Sequence, residues 1–259
     1  MDDQRRGFGL GEILLVAVAL CVMIALGIAA ASAFTQPSVP DPALESAPSA
    51  DPSPTPLQPV VPQVEEAAPA ANGSRISAAW VSTMAGRTGI GEIALQAYGS
   101  ATIRLTKEQP ACRLGWTTLA GIGGIESLHG TDKGAYLLPD GRTSQPILGP
   151  ALDGTDGNAA IRSTEETVPW HGDMQWDHAV GPMQFIPSTW ERWQSDGNDD
   201  GVSDPSNVFD AAYAAGRYLC ASGADLRTGQ GWTQAIFSYN HSDDYVRSVL
   251  AYADGYASS

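Results

Sequence analysis

The sequence predicts a mainly helical α+β domain over residues 74–259, set behind an apolar segment and a flexible linker. Three observations lead there. Apolar residues recur with helical period in most of the C-terminal part of the chain. A stretch rich in Gly, Pro and Asp over 131–179 interrupts that period and predicts long loops or a small irregular sheet. Residues 1–72 have a composition that no packed core could use.

The elements follow in chain order. Residues 13–33 carry no charge, and such a run is long enough to span a bilayer as a helix. Arg5 and Arg6 precede it and no Lys or Arg follows until Arg75, so the positive-inside bias directs the later residues outward. We therefore expect residues 1–34 to be a cytoplasmic stub and a membrane anchor, with the domain on the extracytoplasmic face. Cleavage after Ala31-Ser32-Ala33 would secrete it instead. Residues 35–73 are rich in Pro, Ala and Ser without an aromatic, which predicts an extended, disordered tether.

Within the domain, helices are expected over 91–108, ending before Pro110, and over 114–126. A third is expected after Pro187, where Ser188 and Glu191 have the spacing of a capping box. Residues 210–220, Ala-rich and apolar on most sides, predict a central buried helix. Trp232, Ala235, Ile236 and Tyr239 form one further inward stripe; Val246, Val249, Leu250 and Ala253 form the last, with Ser242 as its cap. Cys21 lies in the apolar segment, which leaves Cys112 and Cys220 as the exported pair. In an oxidising compartment we expect them to be bonded, stabilising the domain by about 4–5 kcal/mol in the chain-entropy description.

The formal charge of −15 argues against nucleic acid as a partner. Chemistry points instead to Glu126. Trp116, Leu119, Ala120 and Gly123 mark one helix face, and Glu126 continues along its margin. An acid held against apolar surface has its charged form disfavoured, which suits a general acid in glycosidic cleavage. The alternative is a Glu on a solvated face. A second feature is the run Asp196, Asn198, Asp200, Val202 and Asp204, with Gly201 at the turn, which fits the opening of a calcium loop. Position 12 is Asn207 rather than Glu, so binding would be weak unless Asp204 or Asp210 supplied oxygens; the alternative is a polar Asx-rich turn.

Three segments occurring together carry a resemblance. Gly124-Ile-Glu126-Ser-Leu-His-Gly130, then Ala179-Val-Gly-Pro-Met-Gln-Phe-Ile-Pro-Ser-Thr-Trp190, then Phe237-Ser-Tyr-Asn240 with Tyr245 closely resemble lytic murein transglycosylases of the soluble and membrane-bound B type. The likeness runs in the same order over residues 85–256. It implies a lysozyme-like domain that cleaves the MurNAc–GlcNAc bond of peptidoglycan glycan strands and closes a 1,6-anhydro ring without consuming water. Glu126 matches the single acid/base of that family. Ser127 matches a residue that touches the substrate acetamide, while Met183, Gln184, Tyr239, Asn240 and Tyr245 match residues lining the cleft. No cofactor is required for this chemistry, and a calcium ion would be structural.

Each of these assignments has a packing alternative. Met183, Phe185 and Trp190 can belong to the core, which we favour for Phe185. Gln184 can satisfy a loop backbone, and the ring of Tyr239 lies on an inward stripe. His129 is expected to fix the loop that starts at Gly130 rather than to act as a base. Two other functions remain compatible with the sequence. One is a hydrolytic muramidase in which Asp132, Asp173 or Asp177 supplies a second carboxylate, the last two being the better placed. The other is a tethered wall-binding module without activity.

Overall fold

The computed structural model describes residues 76–155, 159–223 and 225–259. The anchor and tether expected over 1–73 lie outside them. Among the described residues, no helix is long and apolar enough to cross a membrane. The fold is mainly helical with one small antiparallel sheet. Its elements are α1 (Ala78–Thr88), α2 (Glu92–Glu108), α3 (Trp116–Ser127), β1 (Leu148–Ala151), α4 (Val168–His171), β2 (His178–Val180), α5 (Pro187–Trp193), α6 (Val208–Ser222), α7 (Gly229–Tyr239) and α8 (Asp243–Ala257).

Helix α3 runs through the middle of the core. Every residue from Trp116 to Gly124 is buried, so α3 has no solvated face along that length and is not the amphipathic stripe expected from its sequence. Its glycines explain how it fits. A Cβ at Gly121 would stand 2.9 Å from the Val249 carbonyl oxygen of α8. One at Gly123 would overlap the Tyr98 hydroxyl of α2 and come within 2.9 Å of its Cζ. Glycine in a helix interior costs about 0.5–1 kcal/mol relative to alanine, and here it permits two neighbouring helices to close on α3. Trp116 fills the N-terminal end, edge-on to Trp80 of α1 with ring centroids 5.3 Å apart.

The remaining helices enclose this centre. Helix α6 packs on α2, α8 on α3, and α7 bridges α6 and α8. The Cys112–Cys220 disulfide is formed and ties the turn before α3 to α6. Ser242 caps α8 as expected, its hydroxyl accepting from the Tyr245 amide. The expected helix over 210–220 begins earlier, at Val208, because the Asn207 side chain caps it by accepting from the Phe209 amide at 3.0 Å.

One capping expectation is corrected. Ser188 does not cap α5. Pro187 already occupies the first turn, with extended Ile186 as the flanking residue, because a proline lacks the N–H a helix start leaves unpaired and has its φ preset. Helix α1 was not anticipated. It begins at the Ser77 cap and stops at left-handed Gly89, and it buries only Trp80 and Val81, too little to mark a stripe. The insertion over 131–179 is the irregular region expected. It holds β1 and β2, paired as Leu148 with Val180 and Ala151 with His178 with a register shift between, together with isolated bridges and the short helix α4.

The packing of α3 gives a direct test. Gly123→Ala should lower stability by about 1–3 kcal/mol, because the intruding methyl meets a fully buried ring. Gly86→Ala in α1, where a Cβ meets nothing within 4 Å, should be neutral or stabilising by about 0.5–1 kcal/mol. Urea unfolding of the two variants beside the parent protein measures both.

Candidate active site

Glu126 sits in the last turn of α3, partly buried where the helix leaves the core. Its Oε1 accepts a hydrogen bond of 2.5 Å from the hydroxyl of Tyr245 in the first turn of α8. Tyr245 is itself buried at 5% exposure, so its hydroxyl is aimed by packing and by the Ser242 cap. The contact joins residues 119 positions apart, both of them named from the sequence.

The chain leaves α3 through three successive left-handed residues, Leu128 (φ 52°), His129 (φ 61°) and Gly130 (φ 84°). For residues with a Cβ this conformation costs about 1–2 kcal/mol each, so several contacts must hold it. The Leu128 amide donates to the Gly124 carbonyl at 3.2 Å and the His129 amide to that of Gly123 at 2.9 Å. Ser127 completes the lock: its hydroxyl donates to the Pro182 carbonyl at 2.7 Å and accepts from the Gly130 amide at 2.8 Å. A side chain at Gly130 would be strained by its φ of 84° and would have to displace Leu137, whose Cδ2 lies 2.7 Å from the Cβ position.

Ser127, which the resemblance matches to an acetamide contact, is buried at 2% exposure with its hydroxyl bonded to backbone on both sides. Met183 is likewise a core residue, at 0% exposure. Only its carbonyl serves the site, accepting from the Tyr239 hydroxyl at 2.8 Å. The Tyr239 ring packs edge-on to Phe185 and to Tyr218, and Phe185 and Trp190 lie in the core. Gln184 adopts φ 49° and donates its amide to the carbonyls of Gly181, at 2.9 Å, and Ile147, at 3.2 Å. It therefore does satisfy loop backbone, and in doing so fastens the 181–185 loop to the insertion. Asn240 is buried at 6% exposure, at the end of α7. The site is thus a junction where the ends of α3 and α7, the start of α8 and the 181–185 loop meet.

The alternative carboxylates are engaged in other work. Asp173 Oδ1 accepts from the amides of Gln175 and Trp176, and its Oδ2 faces His178 Nε2 at 3.2 Å. The backbone bond from Gln175, then the His178 contact, hold its pKa down at about 2. Asp177 is buried and accepts from the Thr167 hydroxyl at 2.6 Å, with His171 Nε2 at 3.2 Å. Both fold the insertion upon itself. Asp132 lies in a single 3₁₀ turn with Lys133 Nζ at 3.9 Å.

The 196–204 loop is organised by its own backbone. Asp196 accepts from the amides of Asp200 and Gly201, Asn198 Oδ1 from the Asp200 amide, Asp200 from that of Val202, and Asp204 from that of Ser206. Of the two residues that could add oxygens, Asp210 reaches the loop and Asn207 is engaged outside it. Asn207 caps α6 and donates to the Asp140 carbonyl at 3.0 Å, while buried Asp210 accepts from the Gly197 and Asp204 amides. Among the described residues no group of three or more His, Cys, Asp or Glu side chains is placed to hold a metal ion.

Sequence reasoning did not find Tyr98 or Tyr256, which enclose His129. Its Nδ1 lies 3.2 Å from the Tyr98 hydroxyl and its Nε2 lies 2.9 Å from that of Tyr256. Gly123, opposite the Tyr98 hydroxyl, was the one available signal.

No family model matches the chain, and no curated protein does. Among solved structures, two of the Escherichia coli lytic transglycosylase Slt35 are similar. Its complex with bulgecin A aligns at TM-score 0.38 and 14% identity, over 69% of this chain and 78% of that one. Its complex with calcium aligns at TM-score 0.39 and 16% identity, with the same coverage.

Burial lowers the His129 pKa from 6.5 to about 4. Between these values the unfolded chain binds a proton that the folded chain refuses. The stability contribution is therefore whole above about pH 6.5 and is lost as pH falls towards 4, about 3 kcal/mol in all. Urea unfolding at pH 7 and pH 4 should show this loss in the parent protein and a loss smaller by that amount in His129→Gln.

Proposed function

We propose that the protein is a lytic transglycosylase that cleaves the MurNAc–GlcNAc β-1,4 bond of peptidoglycan, with Glu126 as its only acid/base. The Tyr245–Glu126 contact carries this reading. The Tyr245 hydroxyl donating to Oε1 fixes the orientation of the carboxyl that would transfer the proton. The carboxyl gives its proton to the departing glycosidic oxygen as the C1–O4 bond breaks. The resulting carboxylate then takes the proton of the C6 hydroxyl while O6 bonds to C1, which closes the 1,6-anhydro ring and restores the acid. No water enters, and the substrate acetamide shields the developing positive charge.

The three-segment resemblance to B-type lytic murein transglycosylases supports the same reading. So does the engagement of Asp173 and Asp177, which are occupied in folding the insertion and would have to be released to activate a water. Tyr239 and Gln184 are framing residues in this scheme, holding the 181–185 loop in place. The membrane anchor over 1–34, the tether and an extracytoplasmic location complete the proposal: a wall-cleaving domain held at a distance from the membrane by a chain segment of its own.

Mass spectrometry of muropeptides released from purified peptidoglycan by the full chain tests it. The parent protein should yield anhydro-MurNAc ends, and Glu126→Gln should lower the rate by about 10²–10⁴-fold. Reducing MurNAc ends would refute transglycosylation in favour of hydrolysis. An undiminished wall-binding phenotype with no product from either protein would favour a binding module. Tyr245→Phe removes one hydrogen bond to an ionisable group, worth about 1.5–3 kcal/mol, and should lower kcat about 10- to 100-fold with the same products.

A further inference from the structure

The strained exit of α3 and the histidine within it point to a control on the acid that the catalytic scheme does not use. Leu128 and His129 are left-handed although both carry side chains, and only Ser127 separates them from Glu126. The His129 ring is the one side chain of the exit that reaches both flanking helices, meeting Tyr98 on α2 and Tyr256 on α8. A neutral imidazole has one donor and one acceptor nitrogen. In either tautomer, one tyrosine hydroxyl therefore donates to the ring and the other accepts from it. An imidazolium has two donors, so the tyrosine that donated would lose its acceptor. Tyr98 is fully buried, which leaves its hydroxyl no solvent to turn to.

The groups facing the ring are these two hydroxyls, with Tyr252 behind Tyr256 on α8. Burial raises the pKa of both partners, that of Tyr256 to about 12, so both stay protonated. Burial alone sets the His129 shift.

We propose that His129 is a positioning residue whose neutral ring, bridged between Tyr98 and Tyr256, holds the left-handed exit of α3 and so aims the Glu126 carboxyl, and that acid releases this bridge and disarms the site. The proposal rests on Glu126 being the acid. It makes the bridge an off-switch at low pH that acts through the backbone, without contact to substrate.

The test compares full-length parent protein, His129→Gln and His129→Leu on purified peptidoglycan from about pH 3.5 to 7. His129→Leu should lose about tenfold or more in kcat at every pH, with KM changed less than about twofold. His129→Gln keeps a donor and an acceptor that do not titrate. It should retain the neutral-pH rate within about threefold and carry its acid limb about one pH unit lower. If His129→Leu does not fold, Tyr256→Phe serves in its place. Amide exchange at Leu128–Thr131 supplies a readout independent of catalysis: protection should fall about tenfold in His129→Leu, and in the parent protein as pH approaches 4. A wild-type kcat and acid limb in His129→Leu, a loss confined to KM, or unchanged protection of the exit would overturn the proposal. Parent protein that shows the exchange change but releases no product would refute the catalytic reading, and with it the acid switch, while leaving the bridge itself demonstrated.

Discussion

Helix α3 passes between α2 and α8 because it presents almost no side chain at the crossings. At Gly121 and Gly123 the neighbouring backbone and the Tyr98 ring stand where a methyl would be, so the separation of three helices is set by the absence of atoms. The energetic consequence is twofold. Each glycine weakens the helix taken alone, yet close approach buries Trp116, Leu119, Ala120 and Ile122 completely, and burial of large apolar side chains outweighs the backbone cost. The positions of Glu126, His129 and the tyrosines all follow from that crossing.

The site is built by ending this helix abruptly. A regular continuation would carry the chain onward along the helix axis, whereas three left-handed residues turn it aside at Ser127–Gly130. The backbone strain is offset by capping bonds to Gly123 and Gly124 and by the buried Ser127 hydroxyl, which reaches across to Pro182. The same serine thereby couples the end of α3 to the 181–185 loop, and Tyr239 and Gln184 couple that loop to α7 and to the insertion. Polar residues around Glu126 thus serve mostly to hold backbone in place. Neighbours with satisfied hydrogen bonds supply the rigidity that the proton transfer proposed for Glu126 would need, to within about half an ångström.

Much of the fold was legible in the chain. The α7 stripe of Trp232, Ala235 and Ile236 and the α8 stripe of Val246, Val249 and Ala253 turned inward as their spacing required, and Ser242 capped α8. The disulfide followed from pairing the two cysteines outside the apolar segment. Elsewhere, local chemistry has two possible uses. Ser188 has a capping spacing, but Pro187 starts the helix first. Ser127 and Met183 occupy positions that resemble cleft residues, and both are buried. The acids of the 196–204 loop match a calcium pattern, yet their oxygens accept from the loop's own amides, and Asn207 is spent on α6.

By itself, the sequence determined the period of most helices, residues able to cap them and the irregular character of the insertion, and it singled out Glu126 as a candidate. These are properties of short windows, where composition and spacing act over one or two turns. Only the tertiary structure decided that α3 is buried all round, that Tyr245 grips Glu126 across 119 residues, and that His129 lies between Tyr98 and Tyr256. Such contacts depend on how closely helices approach, and that distance is fixed by the volume of every side chain packed between them, which no single window of the chain contains.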